Sequence, residues 1–457
     1  MHRFTFPEIA IVGGGFSGTA VAVNLLRAGD DRWSIHLVER EGPIGRGVAY
    51  GTPDDAHLLN VPAGAMSLRA DRPSDFVAYA SARLGPVAQT ALLPRRLYGE
   101  YLSATLQDAS EATSANFVVH HSAAVAVQPE GARWMVQLAD GRTLTVDHVV
   151  FATGNGPPRL PPELAHLEGD SRFVRDPWAA GALDAVAPSE RVLLVGTGLT
   201  AIDVTLSLHA RGLHGPLHAT SRGGRWPRPH LPEVCWAGPK ADIALDAAPA
   251  TADGLSAWFE AAIARAHSAD IPWQAVLEAM RPHISMLWGR LSEAERARFL
   301  KAHRAGWEVL RHRTPRPTYE KLRAWREAGW LTTHRGGIES VQTTPYGLEV
   351  AFHGGDAPAV FDRIVLCTGA ESDPSRVGQL LWHDLIAHGL VVPDPHGLGI
   401  LTDERGAVIG SQSAPPGLWA MGGLQRPRQF ESTSVPELAL QAQKIAAAIL
   451  AAPVRGA

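Results

Sequence analysis

Cysteine is nearly absent. Cys235 and Cys367 are the only two in 457 residues, and they form no Cys-x-x-Cys pair. That excludes a disulfide framework and a paired redox dithiol. Charge of one sign is scarce as well: 42 Lys and Arg stand against 46 Asp and Glu, a net charge of -4, with no long basic or acidic run. The balance argues against a nucleic-acid or membrane-surface protein. No apolar run approaches the roughly 18 residues of a membrane helix. The opening MHRFTFPEIAIVGGG turns glycine-rich too soon for a signal peptide. The expectation is a cytoplasmic chain with no membrane and no nucleic-acid partner, monomer or homodimer. Metal is not expected either, because the 20 histidines fall in no HExxH or comparable spacing. No GxSxG nucleophile elbow is present.

What is present is ordinary globular material, 45% hydrophobic and 19% charged, enough for two or three domains at about 150 residues each. The apolar run Glu8–Val12 ends in Gly13-Gly14-Gly15. A helix follows over Phe16–Ala28, then a second apolar run, Ser34–Val38, closed by Glu39-Arg40. This is strand, turn, helix, strand, the opening of a doubly wound fold. The same grammar returns at Arg191–Val195, Gly196-Thr197-Gly198, a helix to about Arg211, and Leu217–Arg222. Downstream of each turn, Val125–Gly154 and Ile338–Gly369 share alternating strands and an ending D-[HR]-[VI]-V-x-[AC]-T-G. Duplication of a whole nucleotide-binding half is the simplest account. The fold class is therefore α/β, with two Rossmann-like (βαβ) nucleotide-binding domains. A Pro/Gly-rich connector, Gly154–Leu167, separates the halves. A helical insertion of about 232–330, with helical patterns at Ala275–Leu287 and Ser292–Ala305, interrupts the second. Its tryptophans read as its own core, and its expected job is to cover a cleft or bind a partner. A short strand (Leu418–Met421) and a long helix (Pro436–Leu450) close the chain.

Gly13, Gly15 and Gly18 make a G-x-G-x-x-G turn. The first glycine permits the tight turn, the second leaves room for a pyrophosphate, and the third lets helix and strand pack closely. The pyrophosphate then rests on the helix N-terminus and the N–H groups of Phe16 and Ser17. Glu39, at the end of the next strand, suits the hydroxyls of an unphosphorylated ribose. These features assign FAD to the first site. Thr153-Gly154 ends a strand where backbone can approach the cofactor, and Arg46, between Gly45 and Gly47, would reach its phosphates or ring. The final helix would present its positive end to the flavin.

The second turn reads Gly196-x-Gly198-x-x-Ala201, a permitted variant, with Thr200 in the first helical turn. Where the first half has Glu39, this half has Ser221-Arg222. No carboxylate repels a phosphate there, and a guanidinium offers planar donors to a 2′-phosphate. NADPH is the expected second cofactor, although an arginine at such a position can be simply a surface charge. The chain thus divides into 1–160 (FAD, first part), 161–355 (NADPH, with the insertion) and 356–457 (FAD, return segment and final helix).

With GVAYGTPDDAHLLNVPAGAMS (Gly47–Ser67), LPRRLYGEYL (Leu93–Leu102), RHRTPRP (Arg311–Pro317) and FESTSVPEL (Phe430–Leu438), the chain resembles a group of FAD/NAD(P)-binding flavoproteins with two dinucleotide-binding domains. It is more distantly similar to class B flavin monooxygenases and ornithine/lysine N-hydroxylases. The resemblance implies that Asn60-Val61-Pro62 lies by the flavin. A departure stands at Ala420-Met421-Gly422-Gly423, where the wider superfamily carries Gly-Asp; FAD contact there falls to backbone, with Gly422 the candidate. The Baeyer–Villiger signature is absent.

Weaker candidates remain. Glu431, before the final helix, and Asn60 are taken as catalytic candidates. Arg311-His312-Arg313 would bind an anion or end a solvated helix. Arg228 and His230 would meet nicotinamide or substrate. Asp203 reads as a local hydrogen-bonding residue, and Arg69 and Arg72 as surface charges. Three functions stay open. The first is a monooxygenase that uses molecular oxygen on a small substrate, an amine among the candidates. The second is an NADPH-dependent reductase of a quinone or other acceptor. The third is a non-catalytic redox-sensing or partner-binding flavoprotein.

Overall fold

The computed structural model describes residues 7–28, 33–231, 238–354 and 357–452. Cys235 lies outside them. The first half begins with β1 (Glu8–Val12), α1 (Phe16–Arg27) and β2 (Ser34–Glu39). The short α2 (Gly47–Tyr50), α3 (Asp75–Leu84) and α4 (Arg95–Glu111) follow, and then β3 (Asn116–His121). An antiparallel trio comes next: β4 (Ala124–Glu130), β5 (Arg133–Leu138) and β6 (Thr143–Val146). The chain then re-enters the parallel sheet as β7 (His148–Phe151).

After the connector, the second half repeats this plan. It runs through β8 (Phe173–Val174), β9 (Val192–Val195), α5 (Leu199–Ala210) and β10 (Leu217–Ser221). The inserted helices are α6 (Ala252–Ser268), α7 (Trp273–Met280), α8 (Ile284–Arg290), α9 (Glu293–Ala302) and α10 (Arg304–Arg311). Then come α11 (Arg316–Glu327), β11 (Leu331–Arg335), a second antiparallel trio of β12 (Ile338–Thr344), β13 (Gly347–Phe352) and β14 (Ala359–Phe361), and β15 (Arg363–Leu366). The chain closes with α12 (Leu380–Ala387), β16 (Leu418–Ala420) and α13 (Val435–Leu450).

The two parallel sheets have matching orders, β16-β7-β1-β2-β3 and β11-β10-β9-β15-β8. Read outward from β1 and β9, each places its second strand, then its third, on one side and its Thr-Gly strand on the other. The trios match as well, each with a register shift near its start, at Ala124/Ala126 and Ile338/Ser340. The central strands β7, β9 and β15 are buried along their whole length. They read as unbroken apolar runs because helices or sheet cover both faces. In the first half α1, α4 and α13 pack one face, while the trio and α12 cover the other.

The structure shifts two expected boundaries. β15 lies between β9 and β8, so the chain returns to the first half after Leu366, not at 356. The Thr-Gly strand completes the second sheet as β7 completes the first. The insertion also ends sooner than 330. Helices α6 to α10 build a core from Trp258, Phe259 and Trp288, joined by Leu398 and Phe430 of the return segment. Leu322 of α11 instead packs into the core of the second sheet, with Trp325 and Trp330 against it. The expected helix Ala275–Leu287 is two helices, broken at Arg281–His283 around Pro282, as an interior proline requires.

Candidate functional site

The first glycine turn is built for close backbone approach. Gly13 has φ +107°, and a Cβ added there would sit 2.4 Å from the Ala152 carbonyl oxygen. A Cβ on Gly18 would sit 1.8 Å from the Gly13 carbonyl oxygen. Gly15 faces Gly47, and α1 begins at Phe16. The Glu39 carboxylate accepts from Gly14 N at 2.7 Å and from Glu41 N at 3.2 Å, so it braces the turn it was expected to serve. Arg46 lies close by with a buried Nε that has no partner among the described residues. Gly422, at φ +77°, comes against Ser17, where a Cβ would meet the Ser17 hydroxyl at 2.9 Å. Gly13, Gly15, Phe16, Ser17, Glu39, Arg46, Asn60, Thr153, Gly154 and Gly422 all line one cavity of about 2580 Å³, which also takes in the start of α13 at Ser434 and Val435. Glycines without room for Cβ, helix N-termini and an unpaired guanidinium suit a dinucleotide.

The second turn repeats the device. Gly196 has φ +129°, and an added Cβ would come 2.2 Å from the Cys367 carbonyl oxygen. Nothing crowds Gly198, and α5 starts at Leu199 with Thr200 on the cavity wall. The Thr197 hydroxyl donates to the Arg225 carbonyl at 2.7 Å, so the Ser221 hydroxyl, 2.8 Å away, is the donor to Thr197. Gly224 N in turn donates to Ser221 Oγ. Arg222 is exposed, as are Arg225 and Arg335. No hydrogen bond or ion pair engages these three guanidinium groups among the described residues. Arg335 pairs in register with Ser221 and packs against Gly224, so the cations share one rim of the second sheet. Arg225 and Arg335 were not singled out from the sequence. Arg335 is separated from Arg222 by the whole insertion, and only the strand pairing brings them together.

A polar joint connects the halves. Asp203 of α5 is not the local residue expected of it. It accepts from Arg95 of α4 at 2.6 Å, with both side chains largely buried. His57 bonds Thr52 at 2.8 Å through Nδ1. Its Nε2 lies 3.0 Å from the Asp203 carbonyl and 2.9 Å from Ser207 Oγ. Ser207 itself donates to Asp54 at 3.0 Å.

The insertion contributes Ala275, Glu278, Ala279, Arg281 and His283 to the lining of the cavity, which Asn60–Pro62 also line. His230 lines the same cavity. It is 2% exposed, and its Nε2 donates to the Asn60 carbonyl at 2.9 Å. Burial, then the nearby Arg313 charge, lowers its pKa to about 4. Arg311, His312 and Arg313 also line the cavity. Burial pushes the Arg311 guanidinium down to about 10, and burial followed by the Arg311 charge holds His312 well below the usual histidine range. Arg313 pairs with Glu278, which also lies 3.6 Å from Arg281. Glu431 does not face the large cavity. Its carboxylate accepts from Trp307 Nε1 at 2.9 Å and from Arg311 Nε, so it holds Arg311, which does line the cavity. Arg228 and Arg72 are exposed, whereas the Arg69 side chain, expected at the surface, is largely buried and pairs with the exposed Asp71.

No helix of the described residues is long and apolar enough to cross a membrane. Residues 10–156 match the family model described as FAD-NAD(P)-binding. No curated protein matches the chain in sequence. Among solved structures, the fold is similar to L-lysine 6-monooxygenase from Pseudomonas syringae, at TM-score 0.66 and 17% identity over 97% of this chain and 98% of that one. It is similar to the ornithine N-hydroxylase of Kutzneria sp. 744, whose structure carries reduced FAD, NADP+ and L-ornithine, at TM-score 0.64 and 17% identity over 98% and 99%. It is also similar to bacillithiol disulfide reductase from Staphylococcus aureus, at TM-score 0.58 and 11% identity over 97% and 98%. Residues 10–156 are thus an FAD/NAD(P)-binding domain, set in a chain whose fold is similar to that of these monooxygenases and of the disulfide reductase.

Proposed function

We propose that this chain is an FAD-dependent oxidoreductase that takes its electrons from NADPH and acts as a monooxygenase on a small nucleophilic substrate, an amine among the candidates. FAD would be held by Gly13, Gly15, Phe16, Ser17, Gly18, Glu39, Arg46, Thr153, Gly154 and Gly422. NADPH would be held by Gly196, Gly198, Thr200, Ser221 and Arg222, with Arg225 and Arg335 adding charge for the 2′-phosphate. When bound, the cofactors supply hydride transfer and oxygen chemistry; the chain binds, orients and excludes water.

A shared cavity, lined by both the insertion and the Asn60 loop, is the observation that carries the monooxygenase reading. The wall from Ala275 to His283 and the loop Asn60–Pro62 line one space, and His230 ties the second half to that loop. An oxygenase needs its reactive centre shielded from water. The Asn60 carbonyl is taken by His230, while its side-chain amide makes no hydrogen bond among the described residues, which leaves it available to orient flavin or substrate. A reductase of a quinone or other acceptor is the second reading, favoured by the likeness of fold to a disulfide reductase. Cys367 does not serve such chemistry: it is 3% exposed, and burial raises its thiol pKa far above the reactive range.

Rapid mixing tests the two readings. The FAD-loaded protein is reduced by NADPH without oxygen and then mixed with oxygenated buffer. A transient spectrum distinct from both reduced and oxidised flavin supports the oxygenase. Direct return of the oxidised spectrum, with peroxide release and brisk turnover on an added quinone, selects the reductase. Failure of the purified protein to retain FAD sinks both.

A further inference from the structure

His230 holds one nitrogen in reserve. Its Nε2 must carry the proton, because the Asn60 carbonyl 2.9 Å away can only accept. Nδ1 is therefore a bare acceptor. It is buried and has no partner among the described residues. Leaving a buried acceptor unpaired is costly, so a site that keeps one is suited to a donor that arrives with a ligand. The cations nearby, Arg313 and Arg281, oppose a second proton on the ring, while Glu278 favours one; burial and Arg313 prevail.

The course of the backbone indicates which ligand. The stretch from Arg222 to His230 leaves the end of β10, beside the second glycine turn, and finishes on the flavin loop. The bridge Pro229–Thr314 and the bonds His230 N to Thr314 O (3.0 Å) and Thr314 N to Arg228 O (2.8 Å) hold its end in place. It follows the route a dinucleotide must take if its adenosine end meets Arg222 and its nicotinamide end meets the flavin. Reacting atoms must come within about 3–3.5 Å, so the nicotinamide has to enter where the second half touches the flavin loop. His230 makes that contact.

We propose that His230 Nδ1 accepts a hydrogen bond from the carboxamide NH2 of the nicotinamide, fixing that ring against the Asn60 loop. The proposal rests on the NADPH reading above. The Nε2 bond to Asn60 fixes the tautomer, so nicotinamide binding and the position of the flavin loop are coupled through one imidazole.

Calorimetric titration of the FAD-loaded protein tests it with three probes. These are NADP+, adenosine 2′,5′-bisphosphate, and the acetylpyridine analogue of NADP+, whose methyl ketone cannot donate. In His230→Phe, NADP+ binding is expected to weaken about tenfold, the scale of one buried hydrogen bond. The bisphosphate and the acetylpyridine analogue should bind wild type and variant alike. His230→Gln, which keeps a donor for Asn60 and an acceptor for the ligand, should recover most of the NADP+ affinity. Equal losses for NADP+ and the analogue, or no loss for either, overturn the proposal while leaving the NADPH reading intact. If the bisphosphate fails to bind wild type, the NADPH reading itself falls.

Discussion

The two nucleotide halves use one backbone device and differ in what they attach to it. Gly13 and Gly196 both adopt positive φ beneath a carbonyl of the Thr-Gly strand, from Ala152 and Cys367 respectively. Both sheets have the same order and the same antiparallel appendage. Even a histidine pair recurs: His36–His120 at 3.0 Å between β2 and β3, and His218–His334 at 2.9 Å between β10 and β11. The differences lie at the nucleotide. The first half closes its turn with Gly18, Gly47 and Glu39; the second has Ala201, an open Gly198 and Arg222. Conserved geometry with altered charge is how one fold can serve two related cofactors, because the pyrophosphate cradle is common to both and the ribose end is not.

The sharpest way to break this symmetry is at its third glycine. Gly18→Ala would put a Cβ 1.8 Å from the Gly13 carbonyl, a clash that only movement of α1 relieves. The variant should lose FAD during purification. The reverse change, Ala201→Gly, costs about 1 kcal/mol of helix propensity and should leave NADPH binding intact. Flavin content and NADPH titration check the pair. An FAD-replete Gly18→Ala protein would show that the two turns are equally tolerant.

The next test addresses charge. Arg222→Ala should weaken NADPH binding about tenfold while NADH binding is unchanged, the loss expected for a charge-assisted contact to phosphate. Arg225 and Arg335 share the same rim, so the single variant should retain part of the preference and the triple variant should lose it. An unchanged NADPH-to-NADH ratio in the triple variant would remove the basis for choosing NADPH.

These contrasts also show what was readable before the structure. Glycine turns, strand ends and the duplication were legible because they are local: each follows from the residues within one βαβ unit. The end of the insertion was not, since α11 reads in sequence as one more helix after α10, and only packing of Leu322 on the second sheet assigns it. The partners of Asp203 and Glu431 were not legible for a related reason. Those partners, Arg95 and Arg311, lie 108 and 120 residues away. A carboxylate in a helix or before one says nothing of a cation that tertiary folding brings to it. His230 was visible as a candidate, but the bond that fixes its tautomer comes from the other half of the chain.

The smallest expected effect concerns the histidine pairs. His218 is lowered to about 4, first by burial and then by the charges of His334 and Arg191; Phe361 packs edge-on against its ring. His36 is lowered by burial, and His120 by burial and then by His36 and Arg142, with Asp140 opposing. An unfolded histidine titrates near 6.5. As pH falls from about 6.5 toward 4, the unfolded chain therefore takes up protons that the folded chain refuses, and stability falls with pH. Below the folded pKa the loss levels off. The melting temperature should decline from pH 7 to pH 5. His218→Leu, which removes the group held lowest in the second pair, should flatten that slope more than His36→Leu does in the first. Equal slopes in the two variants would mean that the duplicated pairs are electrostatically equivalent, and the second half would then have no particular acid sensitivity.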